Sequence, residues 1–476
     1  MTRLFTADIL IARCFYIFRG RWSFGFASAP AGHGYDPGGI LRLLLAFSVP
    51  LLIGNIFQQL YNTVDSVIVG NFVSLQALAA VGCTGPIINA LIGLFAGLSS
   101  GAGVVISQYY GARDKEKLRQ SVQTTVVLTL GLCVLLTAAG VLATPAMLRL
   151  MDIPADVFPE AEEYLRIYFW GVSGLLLYNM GAGILRAVGD STRPLYFLIF
   201  SALTNTVLDI IFVKHLAMGI AGAAVATVIA QGLSAALVML LLSRPGSAYR
   251  VDILHLTASP RLLSKICAIG IPSALQLAVT AFSNIFVQSY INRFESSCMA
   301  GWAAYNKIDA FAMMPMMSLS IALTTFVGQN LGAGEYARAR SAPRYGLLIG
   351  FVMMLIILMP LMIFAPQLTA LFNRDPEVVG FGAMFIRMIS PFYLAFAVNQ
   401  VYLGALRGAG DTKATMLIAL GSFVLFRQLY LYISYRLGGG LTAVALGYPA
   451  GWLLCGAILL FYYYGRKTKT GAGRII

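Results

Sequence analysis

The chain has 476 residues, of which 59% are hydrophobic and 11% are charged, and its formal net charge is +14. Soluble domains average about 25% charged residues, so this chain has too few charges to cover the several soluble domains that its length would otherwise form. The basic residues lie in short clusters between apolar runs, a distribution that disfavours nucleic-acid binding. The composition therefore indicates a membrane protein.

Twelve apolar runs, separated by Gly, Pro or charged residues, predict twelve membrane-spanning helices. Runs such as residues 122–142 and 346–364 have about the twenty apolar residues of a spanning helix and lack the alternation of a β-barrel strand. The predicted helices cover residues 40–70, 77–109, 119–143, 161–188, 194–214, 220–243, 261–291, 299–330, 340–364, 379–407, 412–436 and 441–465. The fold class that follows is an all-α integral membrane protein.

An internal repeat with an offset of 221 residues relates the first six helices to the last six. The segment GILRAVGDS at 183–191 recurs as GALRGAGDT at 404–412, and QYYGA at 108–112 recurs as QNLGA at 329–333. A parallel repeat of six helices predicts two lobes related by a pseudo-twofold axis along the membrane normal.

The repeat divides the chain into segments. The N-lobe is predicted at residues 39–243 and the C-lobe at 261–466, with a cytoplasmic linker at 244–260. Residues 1–38 are expected to form a disordered cytoplasmic extension because Gly, Pro and Ser crowd them, with an upstream extension that is not in the working protein as the alternative. Residues 467–476 are expected to form a basic cytoplasmic tail.

The distribution of Lys and Arg predicts the orientation in the membrane. Twelve spans place both termini on one side, where nineteen Lys and Arg residues flank the helices, against about seven on the other side. By the positive-inside rule, both termini and the linker are expected to be cytoplasmic, in a multi-pass protein of the cell membrane.

Four oxygen-bearing side chains are predicted at similar depth in three helices of the first half. Asp65 and Asp209 lie near the outer ends of the first and fifth helices, Asn205 precedes Asp209 by one turn, and Thr227 enters from the sixth helix. A carboxylate pair with neutral oxygens suits Na⁺ or an exchangeable proton. The alternative is that each group only joins helices by hydrogen bonds, but two intramembrane aspartates at matched depth favour an ion site.

The repeat makes this site asymmetric. The offset of 221 residues places Tyr430, Phe426 and Tyr448 at the positions that correspond to Asp209, Asn205 and Thr227. The second half therefore lacks an equivalent oxygen cluster, and ion coupling is expected in the first half.

Other intramembrane candidates are weaker. Lys307 with Asp309 in the eighth helix and Arg427 in the eleventh are expected to face the protein interior, where a buried pair or a snorkelling cation is an equal alternative to a direct role. Pro50 in the first helix is a candidate hinge, although a static kink is equally compatible.

No pattern of catalysis or cofactor binding is present in the sequence. There is no P-loop and no nucleotide fingerprint, and the six cysteines are scattered singly. Gly97-Leu-Ser-Ser-Gly101 fits GxSxG, but the three histidines lie in tails or loops; with Gly93 these glycines form two GxxxG steps, which indicate close helix packing. We expect neither an enzyme nor a resident cofactor.

Several stretches, in order and spacing, resemble the MATE (multidrug and toxic compound extrusion) transporters. They include PLLIGNIFQQLYNTVDSVIVGNF from 50, SQYYGARD from 107, GILRAVGDSTRP from 183 and FVGQNLGAG from 326. The resemblance covers residues 40–465 and implies two six-helix lobes that form a V-shaped cleft and exchange a drug or metabolite for Na⁺ or H⁺.

Within this family, the chain resembles more closely the branch that has its cation site in the N-terminal lobe. It implies that Asp65, Asn205, Asp209 and Thr227 bind the cation and that the first helix bends at Pro50. The other branch uses acidic residues in the seventh and tenth helices. This sequence has none there, and the neutral Gln276 of the seventh helix is retained only as a secondary candidate.

The expected function is secondary active efflux of drugs or organic, cationic metabolites in exchange for Na⁺ or H⁺, by alternating access. The expected partners are a small-molecule substrate, an organic cation or amphiphile, and membrane lipid, with the chain acting as a monomer. The alternative is a lipid-linked precursor flippase or polysaccharide exporter of related architecture, which would favour a wider and more cationic cavity.

Overall fold

The computed structural model describes residues 37–151 and 153–469, and these residues are entirely helical apart from turns and connections. Eleven of the described helices are long and apolar enough to cross a membrane, and a bent pair of helices completes a twelfth span. All twelve predicted helices are present. The predicted extension (1–38) and tail (467–476) lie largely outside the described residues.

The helices are numbered α1 to α12 in the order of the spans. In the N-lobe they are α1 Pro37–Phe72, α2 Leu75–Gly111, α3 Lys115–Leu150, α4 Phe158–Trp170 continued by Val172–Ala187, α5 Thr192–Asp209 continued by Ile210–His215, and α6 Gly219–Leu242. In the C-lobe they are α7 Pro260–Ile291, α8 Ser296–Gly332, α9 Tyr336–Ile363, α10 Pro376–Ile389 continued to Gly408, α11 Thr412–Leu420 continued to Arg436, and α12 Gly447–Lys469.

Helix α4 departs from the continuous helix that the sequence predicts. Its two segments meet at Gly171 with a bend of 49°. A Cβ at Gly171 would overlap the side chain of Val228 in α6, so glycine permits this close approach.

Two spans contain a π-helical turn, one at the end of α5 and one in the middle of α11. In α5 it covers Ile210–His215 and directly follows Asp209; in α11 it covers Gly421–Phe426 and directly precedes Arg427. Such turns are rare and occur frequently at functional sites. Both turns adjoin an ionisable residue that the sequence selects.

The linker packs against the N-lobe at one end of the molecule, which we name the linker side. The backbone N–H of Val251 donates to the carbonyl of Leu242 at 2.9 Å. The hydroxyl of Thr257 donates to the Gln123 side chain at 2.7 Å, which ties the linker to α3.

The two lobes touch through the halves of α1, α2, α7 and α8 that lie toward the linker side. A Cβ at Gly97 or Gly101 of α2 would overlap the backbone of Ala274 or Gly270 in α7, as the GxxxG steps indicate. Asn55 of α1 donates to the Ser318 hydroxyl of α8 at 3.1 Å.

The same helices separate toward the opposite end, which we name the open side. A Cβ at Gly82 or Gly85, in the open-side half of α2, would meet no atom within 4 Å. The lobes therefore enclose a V-shaped cleft that opens away from the linker.

Candidate functional site

The structure brings the two predicted aspartates into direct proximity within the N-lobe. Asp65 of α1 is 7% exposed and Asp209 of α5 is fully buried. Their carboxyl groups lie within hydrogen-bonding distance of each other. Two carboxylates this close cannot both carry an uncompensated charge in a low dielectric, so the pair must hold a proton or another cation.

Asn205 and Thr227 complete the cluster. Asn205 is one turn before Asp209, and its amide nitrogen lies 3.3 Å from the Thr227 hydroxyl of α6. With the amide reversed, the nitrogen donates to Asp209 Oδ2 at 3.0 Å and the oxygen accepts from the backbone N–H of Thr227 at 3.3 Å. The reversed orientation satisfies both amide atoms and is the better assignment. All four predicted site residues therefore lie together.

One oxygen of each carboxyl group is left without a hydrogen-bond donor from the described residues. These atoms are Asp65 Oδ1 and Asp209 Oδ1, and both are inaccessible to solvent. A buried acceptor without a donor costs about 1 to 3 kcal/mol, more when it is charged. Two such oxygens in neighbouring carboxyl groups supply acceptors that suit a hard monovalent cation or a shared proton.

Three tyrosines that the sequence does not single out lie close to the two aspartates. Tyr61 lies one turn before Asp65 on α1, and its hydroxyl is within hydrogen-bonding reach of Thr227. Tyr164 and Tyr168 of α4 stack with ring centroids 6.5 Å apart, and both are buried. The spacing of four residues between Tyr61 and Asp65 was the available signal, because it places both side chains on one helix face.

Lys307 and Asp309 do not form a pair. Asp309 Oδ1 accepts hydrogen bonds from the hydroxyls of Tyr305 at 3.1 Å and Tyr393 at 2.8 Å, so its partners are tyrosines. Lys307 is exposed, so the alternative of a buried pair with Asp309 is wrong. Residues two positions apart project from nearly opposite sides of a helix, which is the physical reason.

Arg427 is a buried connection between helices of the C-lobe. Its guanidinium donates to Ser283 at 2.7 Å and Asn284 at 2.8 Å in α7, and lies 4.8 Å from the ring centre of Tyr448 in α12. These contacts stabilise the charge within the C-lobe, where Arg427 is 3% exposed.

Gln276 and Pro50 both lie apart from the two aspartates. Gln276 accepts a hydrogen bond from the Arg407 guanidinium at 3.1 Å, within the C-lobe. Helix α1 continues through Pro50 without an interruption. Neither residue lies in the Asp65–Asp209 cluster.

Both lobes of the chain are similar in sequence to a known protein family. The family model described as MatE matches residues 50–211 and again residues 272–433, one match in each lobe. The chain belongs to the MatE family. The probable multidrug resistance protein YpnP of Bacillus subtilis is 30% identical to it over 437 residues, which are 91% of this chain and 97% of that protein.

Other relatives and solved structures agree with this membership. An FAD transporter of Shewanella oneidensis is 25% identical over 454 residues, 93% of this chain and 96% of that protein. A MOP superfamily transporter of Pyrococcus furiosus superposes with a TM-score of 0.85 at 25% identity, covering 92% of this chain and 98% of that chain. A structure described as a multidrug resistance MATE family transporter in the outward-facing conformation superposes with a TM-score of 0.85 at 24% identity. The superposition covers 91% of this chain and 97% of that chain and shows the same fold.

The MatE match confirms several predictions at the level of the family. The chain has the all-α, two-lobed membrane fold with twelve spans, and it is a multidrug efflux transporter of the MATE type rather than the flippase or polysaccharide exporter of the alternative. The family consists of ion-coupled transporters of small molecules, not of enzymes.

Proposed function

We propose that this MatE protein exports small organic molecules in exchange for Na⁺ or H⁺, and that the coupling ion binds between Asp65 and Asp209. The observation that carries the proposal is the pair of buried carboxyl oxygens without donors, Asp65 Oδ1 and Asp209 Oδ1. Asn205 and Thr227 would complete the coordination of Na⁺, or hold the pair in place when it binds a proton.

Coupling to the cleft would pass through α1. Asp65 and Asn55 lie on the same helix, and Asn55 joins α1 to α8 of the other lobe by its hydrogen bond to Ser318. A cation that removes the repulsion between Asp65 and Asp209 would stabilise one position of α1 relative to α5, and Pro50 would serve as the hinge. Ion loading would then favour one state of the cleft.

The orientation proposed for the membrane follows from the charge distribution. The linker side is assigned to the cytoplasm because Lys and Arg are concentrated there, and the chain is assigned to the cell membrane as a monomer. The cleft would then face outward in this structure, the state that releases substrate.

The substrate is proposed to be an amphiphile with a positively charged group. Aromatic and methionine side chains of the cleft would supply apolar contact area for such a molecule, and the face of an aromatic ring attracts a positive charge. The relatives do not narrow the chemistry, since one is named for multidrug resistance and another for FAD.

Dye uptake by inverted membrane vesicles tests the proposal. The wild type and an Asp209→Asn variant would be compared under an imposed Na⁺ gradient and, separately, under a pH gradient. We expect one gradient to drive uptake in the wild type and neither to drive it in the variant. An Asp156→Asn variant is the matched control, because Asp156 lies exposed between α3 and α4. Uptake by Asp209→Asn equal to that of the wild type would remove the hypothesis.

A further inference from the structure

Lys307 is a charged residue in the open-side third of α8 that the proposed coupling mechanism does not use. It lies eleven residues from Ser296, the open-side end of the helix, which is about 16 Å along the axis and within a helix that is long and apolar enough to cross a membrane. The side chain is exposed. A lysine exposed to lipid at that depth would be strongly unfavourable.

The face of α8 that carries Lys307 faces the cleft. Lys307, Met314 and Ser318 are separated by seven and four residues, so they share one side of the helix. Met314 and Ser318 are buried, and Ser318 accepts the hydrogen bond from Asn55 of the N-lobe. The face that contacts the other lobe near the linker side therefore continues into the cleft, where it presents Lys307.

The repeat supports the same placement independently. The offset of 221 residues relates Lys307, Met314 and Ser318 to Pro86, Gly93 and Gly97 of α2. Gly97 packs closely against α7 of the other lobe, whereas Pro86 on the same face is exposed. In both α2 and α8, therefore, the face that contacts the other lobe near the linker side lines the cleft nearer the open side.

Lys307 forms no ion pair with the part of the chain that the structure describes. Asp309 is directed to Tyr305 and Tyr393 instead. On the opposite wall, the face of α1 that begins with Asn55 continues as Gln59 and Asn62, which are uncharged. The ammonium group is therefore available to a molecule in the cleft.

We infer that Lys307 binds an anionic group of the substrate, a carboxylate or a phosphate, so that the preferred substrates are zwitterionic rather than purely cationic. The inference rests on the proposed function and specifies its substrate class. An ammonium group flanked by low-dielectric walls attracts an anion more strongly than in bulk water and repels an unpaired cation. Asn62 is exposed on the facing wall and supplies an amide donor for the same group.

Two xanthene dyes that differ by one ester provide the test. Rhodamine 123 is a methyl ester and a cation, and rhodamine 110 is the corresponding free acid and adds a carboxylate. Uptake into inverted vesicles would give a KM for each dye with the wild type, Lys307→Gln and Lys307→Arg. We expect Lys307→Gln to raise the KM for rhodamine 110 about tenfold, with no increase for rhodamine 123, and Lys307→Arg to behave as the wild type.

Lys214→Gln is the matched control, because it removes an exposed positive charge on the open side, where Lys214 lies 5.1 Å from the ring centre of Phe72. Equal changes in the two KM values for Lys307→Gln, or no change in either, would overturn the inference. If the wild type takes up neither dye under either gradient, the proposed antiport fails. Fluorescence anisotropy of the two dyes with the purified variants then still measures whether Lys307 selects for the carboxylate.

Discussion

Gly111 and Gly332 occupy reciprocal positions where the two lobes meet at the linker side. A Cβ on Gly111 of α2 would overlap the carbonyl oxygen of Gln329 in α8, and a Cβ on Gly332 of α8 would overlap that of Gln108 in α2. The four residues are related in pairs by the repeat. The pseudo-twofold axis therefore passes through this contact, and the absence of two side chains allows it.

Alanine at Gly111 or Gly332 is expected to separate the lobes at the linker side, since the obstructing atoms belong to the backbone and cannot rotate away. Each single variant should increase the labelling rate of a cysteine introduced at Ser107, which is fully buried, and the double variant should increase it further. Gly131→Ala is the control, because a Cβ there meets no atom within 4 Å. Labelling that stays at the wild-type rate in both single variants would show that the contact does not hold the lobes together.

Thr227→Val is expected to weaken binding of the coupling ion more than it lowers the stability of the fold. The hydroxyl is within reach of both Asn205 and Tyr61, and the substitution removes it with little change in shape. Loss of one oxygen next to the carboxyl pair should raise the ion concentration for half-maximal uptake about tenfold, the equivalent of about 1.4 kcal/mol. The measurement is dye uptake against the concentration of the driving ion.

Thr227→Ser keeps the hydroxyl and is the matched variant for that experiment. It should retain a half-maximal ion concentration close to that of the wild type. A loss of affinity in Thr227→Ser as large as that in Thr227→Val would assign Thr227 to packing, because Thr227→Ser keeps the hydroxyl and loses only the methyl group.

The fold was predictable from the sequence because hydrophobic length and the repeat are both independent of fine geometry. The convergence of Asp65 and Asp209 was also predictable, since depth follows from the rise per residue and a polar group within the membrane turns inward. The place of Tyr61 beside the two aspartates was not predictable, because an aromatic residue in an apolar helix ordinarily serves packing.

Two other features depend on information that no single helix contains. The position of Lys307 in the cleft depends on where the lobes separate, which is a relationship between α1 and α8. The bend at Gly171 depends on Val228 in a different helix. Neither the position of Lys307 nor the bend at Gly171 can be predicted from the periodicity or hydropathy of one helix.

Arg427→Met is expected to lower thermal stability. The buried guanidinium joins α7 and α12 through Ser283, Asn284 and Tyr448. Its removal eliminates two charge-assisted hydrogen bonds, each worth about 1.5 to 3 kcal/mol, although part of the desolvation cost is recovered. The Tm of the detergent-solubilised protein should fall by several degrees.

Arg436→Met provides the comparison on the same helix. Arg436 also stacks on a tyrosine, 5.3 Å from the ring centre of Tyr432, but it is exposed. Its removal should change the Tm by less than the Arg427 variant does. Equal effects would mean that the buried hydrogen bonds of Arg427 add nothing to stability.

Asp114 makes the stability of the N-terminus of α3 depend on pH. Its carboxylate accepts from the backbone N–H of Lys117 at 3.0 Å and forms an ion pair with the Lys117 ammonium at 3.2 Å. The hydrogen bond from that N–H is the main cause that lowers the pKa of Asp114 below its usual value. A group whose pKa is lower in the folded state contributes stability above its unfolded pKa of about 3.9 and loses it as the pH falls through the folded value.

The difference in Tm between the wild type and Asp114→Asn should therefore be present at pH 7 and should shrink below pH of about 4. Asparagine keeps an oxygen for the cap but has no charge to titrate, so the variant isolates the ionised form. Because Asp114 lies on the surface, the difference at pH 7 should be small and should decrease further in high salt. Asp156→Asn, which removes an exposed carboxylate from another loop, serves as the control. A gap between wild type and Asp114→Asn that stays constant from pH 7 to the acid limit would show that the cap acts through its geometry alone, without a contribution from its charge.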